Sequence, residues 1–316
     1  IGLRSDSMNK FFLTQTYCKF ITMVLMLISL VLLIRPLSLI GAHIPIQFNE
    51  GWNAYFADAA VSGRAASDLY PPWFFSITDN YPPFSFYIVG YIGKIIGDNI
   101  IAGRIVNIVS IFSISSLIYF ILMRVTHSKY AASISALSFL IYSETVFWRY
   151  FAIDDPQWLA NAVSLLGLFV GIYAADKKPL FVLSAFLMIF AGFIKHNLIA
   201  LPIATTFYLY AYDKKASYIF VSSAIISLLG LLCVCCAGYG INFFIDVFQN
   251  KRIIDVHRAM STYKKILELF PLFIAFFVII KNRGKYEYKT FIERFIIPFV
   301  CISLFFGAFQ ASVDGV

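Results

Sequence analysis

Apolar runs of roughly 15 to 23 residues return along this chain with only short charged stretches between them, and that alternation limits its possible folds more than any motif does. In hydrocarbon a backbone N–H or C=O finds no water, so each such run has to satisfy its polar groups internally as a helix. Runs fall near 20–40, 101–123, 130–148, 157–175, 179–194, 198–212, 216–238, 266–281 and 291–310. Each is close to the length needed to cross about 30 Å, or somewhat short of it. Composition agrees: 60% of residues are hydrophobic, 13% are charged and mean hydropathy is +0.80, far from a soluble domain. The expected fold is all-α, a polytopic membrane bundle of about nine or ten transmembrane helices.

Charge sets the orientation. The stretch 84–96 is short and carries Lys94, so it is read as an interfacial helix and not as a crossing. The nine remaining spans then put the N-terminus, 124–129, 176–178, 213–215 and 281–294 on one face. That face carries 14 Lys and Arg against 5 Asp and Glu, and the other 11 against 12. The positive-inside rule makes the first face cytoplasmic. Loop 41–100, loop 149–156, the 195–197 junction and loop 239–265 therefore meet outside. Scattered basic residues of this kind argue against nucleic acid as a partner. The five cysteines lie in or beside apolar runs and read as small buried hydrophobes.

Three units follow: a cytoplasmic N-terminus over 1–19, a transmembrane module over 20–238 that includes outer loop 41–100, and an outer loop with C-terminal helices over 239–316. Met8 looks like a natural start, with the preceding residues given no structural weight, and the C-terminal end reads as truncated.

The outer polar residues are few. Arg149, Asp154 and Asp155 sit in a short loop between two apolar runs, where charge is costly unless hydrated, paired or used. Two carboxylates so close can divide labour, one orienting a substrate hydroxyl or holding a divalent metal while the other takes a proton. Pro156 then opens the next helix at no hydrogen-bond cost. In the first loop, apolar residues from Trp52 to Val61 recur at helical spacing, predicting an amphipathic interfacial helix with Glu50 at its N-terminus. Glu50 is either a functional acid or a capping carboxylate favoured by the helix dipole. Lys195 and His196 either snorkel at a helix end or meet a lipid-borne phosphate. His257 and Arg258 could meet the same phosphate, and Asn107 and Glu144 read as groups bonding across helices.

Taken in order, Asn49-Glu50, Leu69-Tyr70-Pro71, Tyr81-Pro82-Pro83-Phe84, Ala102-Gly103-Arg104, Asp154-Asp155-Pro156 and Lys195-His196-Asn197 resemble the GT-C glycosyltransferases. The similarity is nearest to the branch with protein O-mannosyltransferases and the aminoarabinose lipid A transferase, and it covers about residues 20–210. It implies a polyprenyl-phosphate-linked sugar donor, a lipid, glycan or protein acceptor, and an inverting transfer at the outer face of a bacterial inner membrane. It also implies catalytic roles for Glu50 with Asp154 or Asp155. Tyr81, Arg149, Lys195, His196, His257 and Arg258 would then bind substrate, and Asp154 and Asp155 are the positions where a divalent metal could bind. Asn49 replaces the commoner acid of the motif. No Gly-rich nucleotide fold is present, which disfavours a nucleotide-sugar donor. The rival readings are a transporter or flippase for lipid-linked saccharides, or a polymerase on the same scaffold.

Overall fold

The computed structural model describes residues 2–71, 79–174, 177–248, 252–254, 257, 260, 264, 295–303 and 313–315. They form an all-α bundle. Its helices are α1 (Gly2–Leu39), α2 (Phe48–Val61), α3 (Ala65–Asp68), α4 (Phe84–Ile96), α5 (Asn99–Thr126), α6 (Lys129–Val146), α7 (Pro156–Ala174), α8 (Lys178–Gly192), α9 (Ala200–Tyr212), α10 (Lys214–Tyr239) and α11 (Asn242–Phe248). Residues 295–303 are also helical, and two three-residue strands, Arg252–Ile254 and Val313–Gly315, pair antiparallel.

Four helical stretches are long and apolar enough to cross a membrane: Gln15–Leu39, Asn99–Thr126, Pro156–Ala174 and Lys214–Tyr239. Their lipid-facing surfaces stay bare, as Val31 (65% exposed) and Ile226 (70%) illustrate. Among the described residues, the runs expected at 130–148, 179–194 and 198–212 form the shorter helices α6, α8 and α9. At 1.5 Å per residue, α8 with 15 residues and α9 with 13 rise only about 20 Å, short of the hydrocarbon thickness. The irregular turn between them, 193–199, brings Lys195 and His196 down into the protein. The span expected at 266–281 lies outside the described residues, as does most of 291–310.

Helix ends follow local chemistry. The Asp98 carboxylate accepts from the Ile100 and Ile101 N–H groups and starts α5, and Asp213 accepts from Lys215 and starts α10. Small residues let helices close on one another. On α7 a Cβ at Gly167 would sit 2.9 Å from the Ser184 carbonyl of α8, whose hydroxyl donates to the Gly167 carbonyl at 2.7 Å. On α4 a Cβ at Gly90 would meet the Ala57 carbonyl of α2, so these two helices lie in direct backbone contact. One apolar cluster binds α7 to α10, centred on Phe181, Met188 and Phe220. A second joins α2, α4 and α11 around Phe56, Phe86 and Phe243. The first loop is thereby held onto the bundle end where loop 147–155 also lies.

Candidate functional site

Loop 147–155 is shaped from below by α5. The Asn107 side chain accepts from the Ala152 N–H (3.1 Å) and donates to the Tyr150 carbonyl (3.3 Å), while Trp158 Nε1 donates to the same carbonyl (2.9 Å). These bonds hold Ala152 in a left-handed conformation, φ 58°, which costs a non-glycine residue about 1–2 kcal/mol. The turn drives Asp154 inward. Its carboxyl rests on Gly103 of α5, where a Cβ would lie 2.1 Å from the Asp154 Cγ. Only glycine leaves that space.

Glu50, in the first turn of α2 as the sequence predicts, is fully buried and paired with Arg104. Arg104 Nε donates to Oε1 at 2.8 Å and Nη2 to Oε2 at 2.9 Å, a two-pronged contact. The other guanidinium donors reach the carbonyls of Leu39, Ala42 and Ile44, so one side chain ties the end of α1 to α2 and α5. Glu50 also accepts from the backbone N–H groups of Ile46 (2.6 Å) and Asp154 (3.2 Å). Asn53 Nδ2 donates to the Asp154 carbonyl at 2.5 Å. Two segments about a hundred residues apart are thus locked by hydrogen bonds.

Glu50 and Asp154 are pushed in opposite directions. Burial works to raise the Glu50 carboxyl, but Arg104 and the Ile46 and Asp154 N–H groups outweigh it, and its pKa falls below the ordinary value. Asp154 goes the other way. Burial, then repulsion from Asp155 and Glu50, push it well above the carboxylate range despite Arg104. Its Oδ2 and the Ser85 hydroxyl are both buried without a hydrogen-bond partner beside a cavity of about 10 Å³, room for one water-sized group. Asp155 is held from two sides: Oδ1 accepts from the Gln157 N–H at 2.7 Å, capping α7, and faces Lys195 Nζ at 3.4 Å. Lys195 Nζ also lies 4.2 Å from the centre of the Tyr81 ring. Burial disfavours its charge, yet Asp155 and Tyr81 overcompensate and its pKa rises.

Glu50, Asp154, Asp155, Lys195 and Tyr81 therefore form one connected group. Arg149 does not join it: its guanidinium stacks on Trp148, 5.2 Å from the ring centre, beside a different cavity. His196 lines an apolar cavity of about 560 Å³ with Phe193 and Phe243. His257 is exposed, and Arg258 lies outside the described residues. Among the described residues no three His, Cys, Asp or Glu side chains converge to hold a metal ion. Of the two acids expected to hold one, Asp155 faces Lys195 and Asp154 rests against Gly103.

Sequence reasoning gave no site role to Arg104, Gly103 or Asp79, although the first two fall in the Ala102-Gly103-Arg104 motif. Arg104 carried a further signal, because a charge inside an apolar helix needs a partner. Asn107, read as bonding across helices, does bond from α5 to loop 147–155. Asp79 is nearly fully buried, with Oδ1 accepting from the Tyr81 N–H at 2.9 Å; burial and then Asp246 raise its pKa well above the ordinary range, against the pull of Tyr81 N–H and Lys195.

The sequence pattern of the dolichyl-phosphate-mannose-protein mannosyltransferases matches residues 80–238, half of the chain, and takes in Tyr81, Arg104, Asp154, Asp155 and Lys195. Comparison with curated proteins and with solved structures gives no match. The chain belongs to the dolichyl-phosphate-mannose-protein mannosyltransferase family, and is a membrane glycosyltransferase that draws on a lipid-linked sugar.

Proposed function

We propose that the protein transfers a sugar with inversion from a polyprenyl-phosphate donor to a hydroxyl acceptor, at the outer surface of a bacterial inner membrane. The carrying observation is that the acid loop is bonded both to first-loop Glu50 and to Lys195 of the α8–α9 turn. Family membership supplies the reaction class, and the arrangement divides the roles.

Asp155 is the proposed base. It removes the acceptor proton as the acceptor oxygen attacks the anomeric carbon, and the bond from that carbon to the phosphate oxygen breaks. Lys195, released in part from Asp155 as that carboxylate takes the proton, offsets the charge of the departing lipid phosphate. Asp154, protonated, donates a hydrogen bond to a sugar or acceptor oxygen. Glu50 does not touch substrate in this reading. With Arg104 it fixes the position of the Asp154 backbone.

The donor chain has a fitting space. A cavity of about 630 Å³ between α5, α6, α7 and α9 is lined by Ile118, Phe139, Leu168 and Phe299, with Asn161 and Asn197 among its polar groups. Asn197 Nδ2 donates to Gln157 Oε1 at 2.8 Å, and the Gln157 N–H donates to Asp155 Oδ1, so this cavity is linked to the acid loop. The test is transfer by the purified full chain in vesicles, from a polyprenyl-phosphate-linked sugar against the matching nucleotide sugar. Expected are turnover of the lipid donor alone and a product of inverted anomeric configuration by NMR. Turnover of the nucleotide sugar, or retained configuration, contradicts the reading.

A further inference from the structure

Two arginines, a helix N-terminus and one unsatisfied acid face a single cavity of about 430 Å³, distinct from the small one beside Asp154. Arg35, near the end of α1, lies with Cζ 4.6 Å from the centre of the Trp148 ring, and Arg149 lies 5.2 Å from it. Among the described residues neither guanidinium enters an ion pair. Stacking on an aromatic ring orients a guanidinium while leaving its N–H edge open to an acceptor, and Arg35 is also near enough to act electrostatically on Glu144. Gln47 and Phe48, at the N-terminus of the 14-residue helix α2, line the same space, and its dipole adds to the positive field.

Glu144 makes the site more than a basic patch. It is 8% exposed, lines the cavity, and its Oε2 is buried without a hydrogen-bond partner. A phosphate would satisfy the arginines and leave Glu144 unanswered, whereas a hydroxyl on the same headgroup answers both. N-terminal to Arg35, the α1 surface bears Val31 and Ile34, 65% and 66% exposed, an apolar track along which a chain attached to that phosphate can lie.

We propose that this cavity binds a phosphodiester lipid headgroup bearing a hydroxylated substituent, its phosphate on Arg35 and Arg149 and a hydroxyl on Glu144. A glycerol-headed bilayer phospholipid has that chemistry; the polyprenyl-phosphate-linked sugar shares it, but its phosphate belongs at Lys195 in the reaction proposed above. Binding is independent of turnover, so failure of the transfer reaction proposed above leaves this site standing.

The test uses the full chain in phosphatidylcholine nanodiscs doped with phosphatidylglycerol, with phosphatidic acid or with a polyprenyl-phosphate-linked sugar, reading retained lipid by native mass spectrometry. Loss of a charge-assisted partner predicts about tenfold or greater weakening of hydroxylated-lipid retention in R35Q/R149Q, and a smaller loss in R149Q, whose side chain is exposed. Glu144→Leu is expected to weaken the hydroxylated lipids and spare phosphatidic acid, with thermal unfolding confirming that each variant is folded. Phosphatidylglycerol retention that falls in R35Q/R149Q supports the site, whereas loss of prenyl-lipid retention alone in that variant overturns it, because the donor would then lie on these arginines. Equal retention by wild type and R149Q, or no retention of either lipid above phosphatidylcholine, overturns the proposal.

Discussion

The Arg104 guanidinium grips the Glu50 carboxylate along two edges, Nε to Oε1 at 2.8 Å and Nη2 to Oε2 at 2.9 Å, with both side chains fully buried. Such a pair is costly to break from one side, because the survivor is left as an unanswered buried charge. Arg104→Met is therefore expected to destabilise the protein by about 3–5 kcal/mol. Thermal unfolding in detergent checks this. A change below about 1 kcal/mol would mean that the pair is not what locks the first loop.

The opposed shifts of Glu50 and Asp154 set a pH dependence. Glu50, its pKa lowered on folding, contributes stability above its unfolded value that is lost as pH falls through the folded value. Asp154, its pKa raised, contributes stability that is complete below its unfolded value and declines as pH rises toward the folded one. Asp154→Asn, neutral at every pH, should abolish the decline on the alkaline side and leave the acid side intact. Melting curves from pH 4 to 9 read this, and an unaltered alkaline limb would show that Asp154 is not held protonated.

Gly103 gives a steric prediction. A Cβ there would lie 2.1 Å from the Asp154 Cγ, so Gly103→Ala has to displace the acid loop or α5. Since a misplacement near 1 Å can cost about a hundredfold in rate, kcat should fall by that order while the helical circular dichroism is retained. Wild-type kcat in this variant would place the chemistry away from Asp154.

Lys195 separates charge from size. Its contact with Asp155 at 3.4 Å and its place over Tyr81 predict that Lys195→Met loses roughly tenfold to a hundredfold in kcat/KM, with Lys195→Arg recovering part of it. Steady-state kinetics with the lipid donor measures both. Equal loss in the two variants would indicate a packing role.

The helices were more legible than the site. Long apolar runs mark α1, α5, α7 and α10 because lipid demands length and hydropathy together, and Glu50 and Pro156 mark helix starts because end chemistry is local. The short helices α8 and α9 were legible too, since the polar Lys195-His196-Asn197 breaks the apolar run where the 193–199 turn lies. The contacts that make the site were not legible: Glu50 to Arg104, Asp154 to Gly103 and Ala152 to Asn107 join residues 45 to 54 positions apart. Glu50 could be placed at a helix start from sequence, but that its oxygens are occupied is a property of packing.

The most direct measurement of the central claim is turnover of the lipid-linked donor by Asp155→Asn and Glu50→Gln, each normalised to its folded fraction. A base accounts for about 10²–10⁴ in rate, so Asp155→Asn is expected to lose that much while still binding donor, and Glu50→Gln to lose stability first and far less turnover per folded molecule. Wild-type turnover in Asp155→Asn, with Glu50→Gln folded but inactive, would contradict the account and make Glu50 the base.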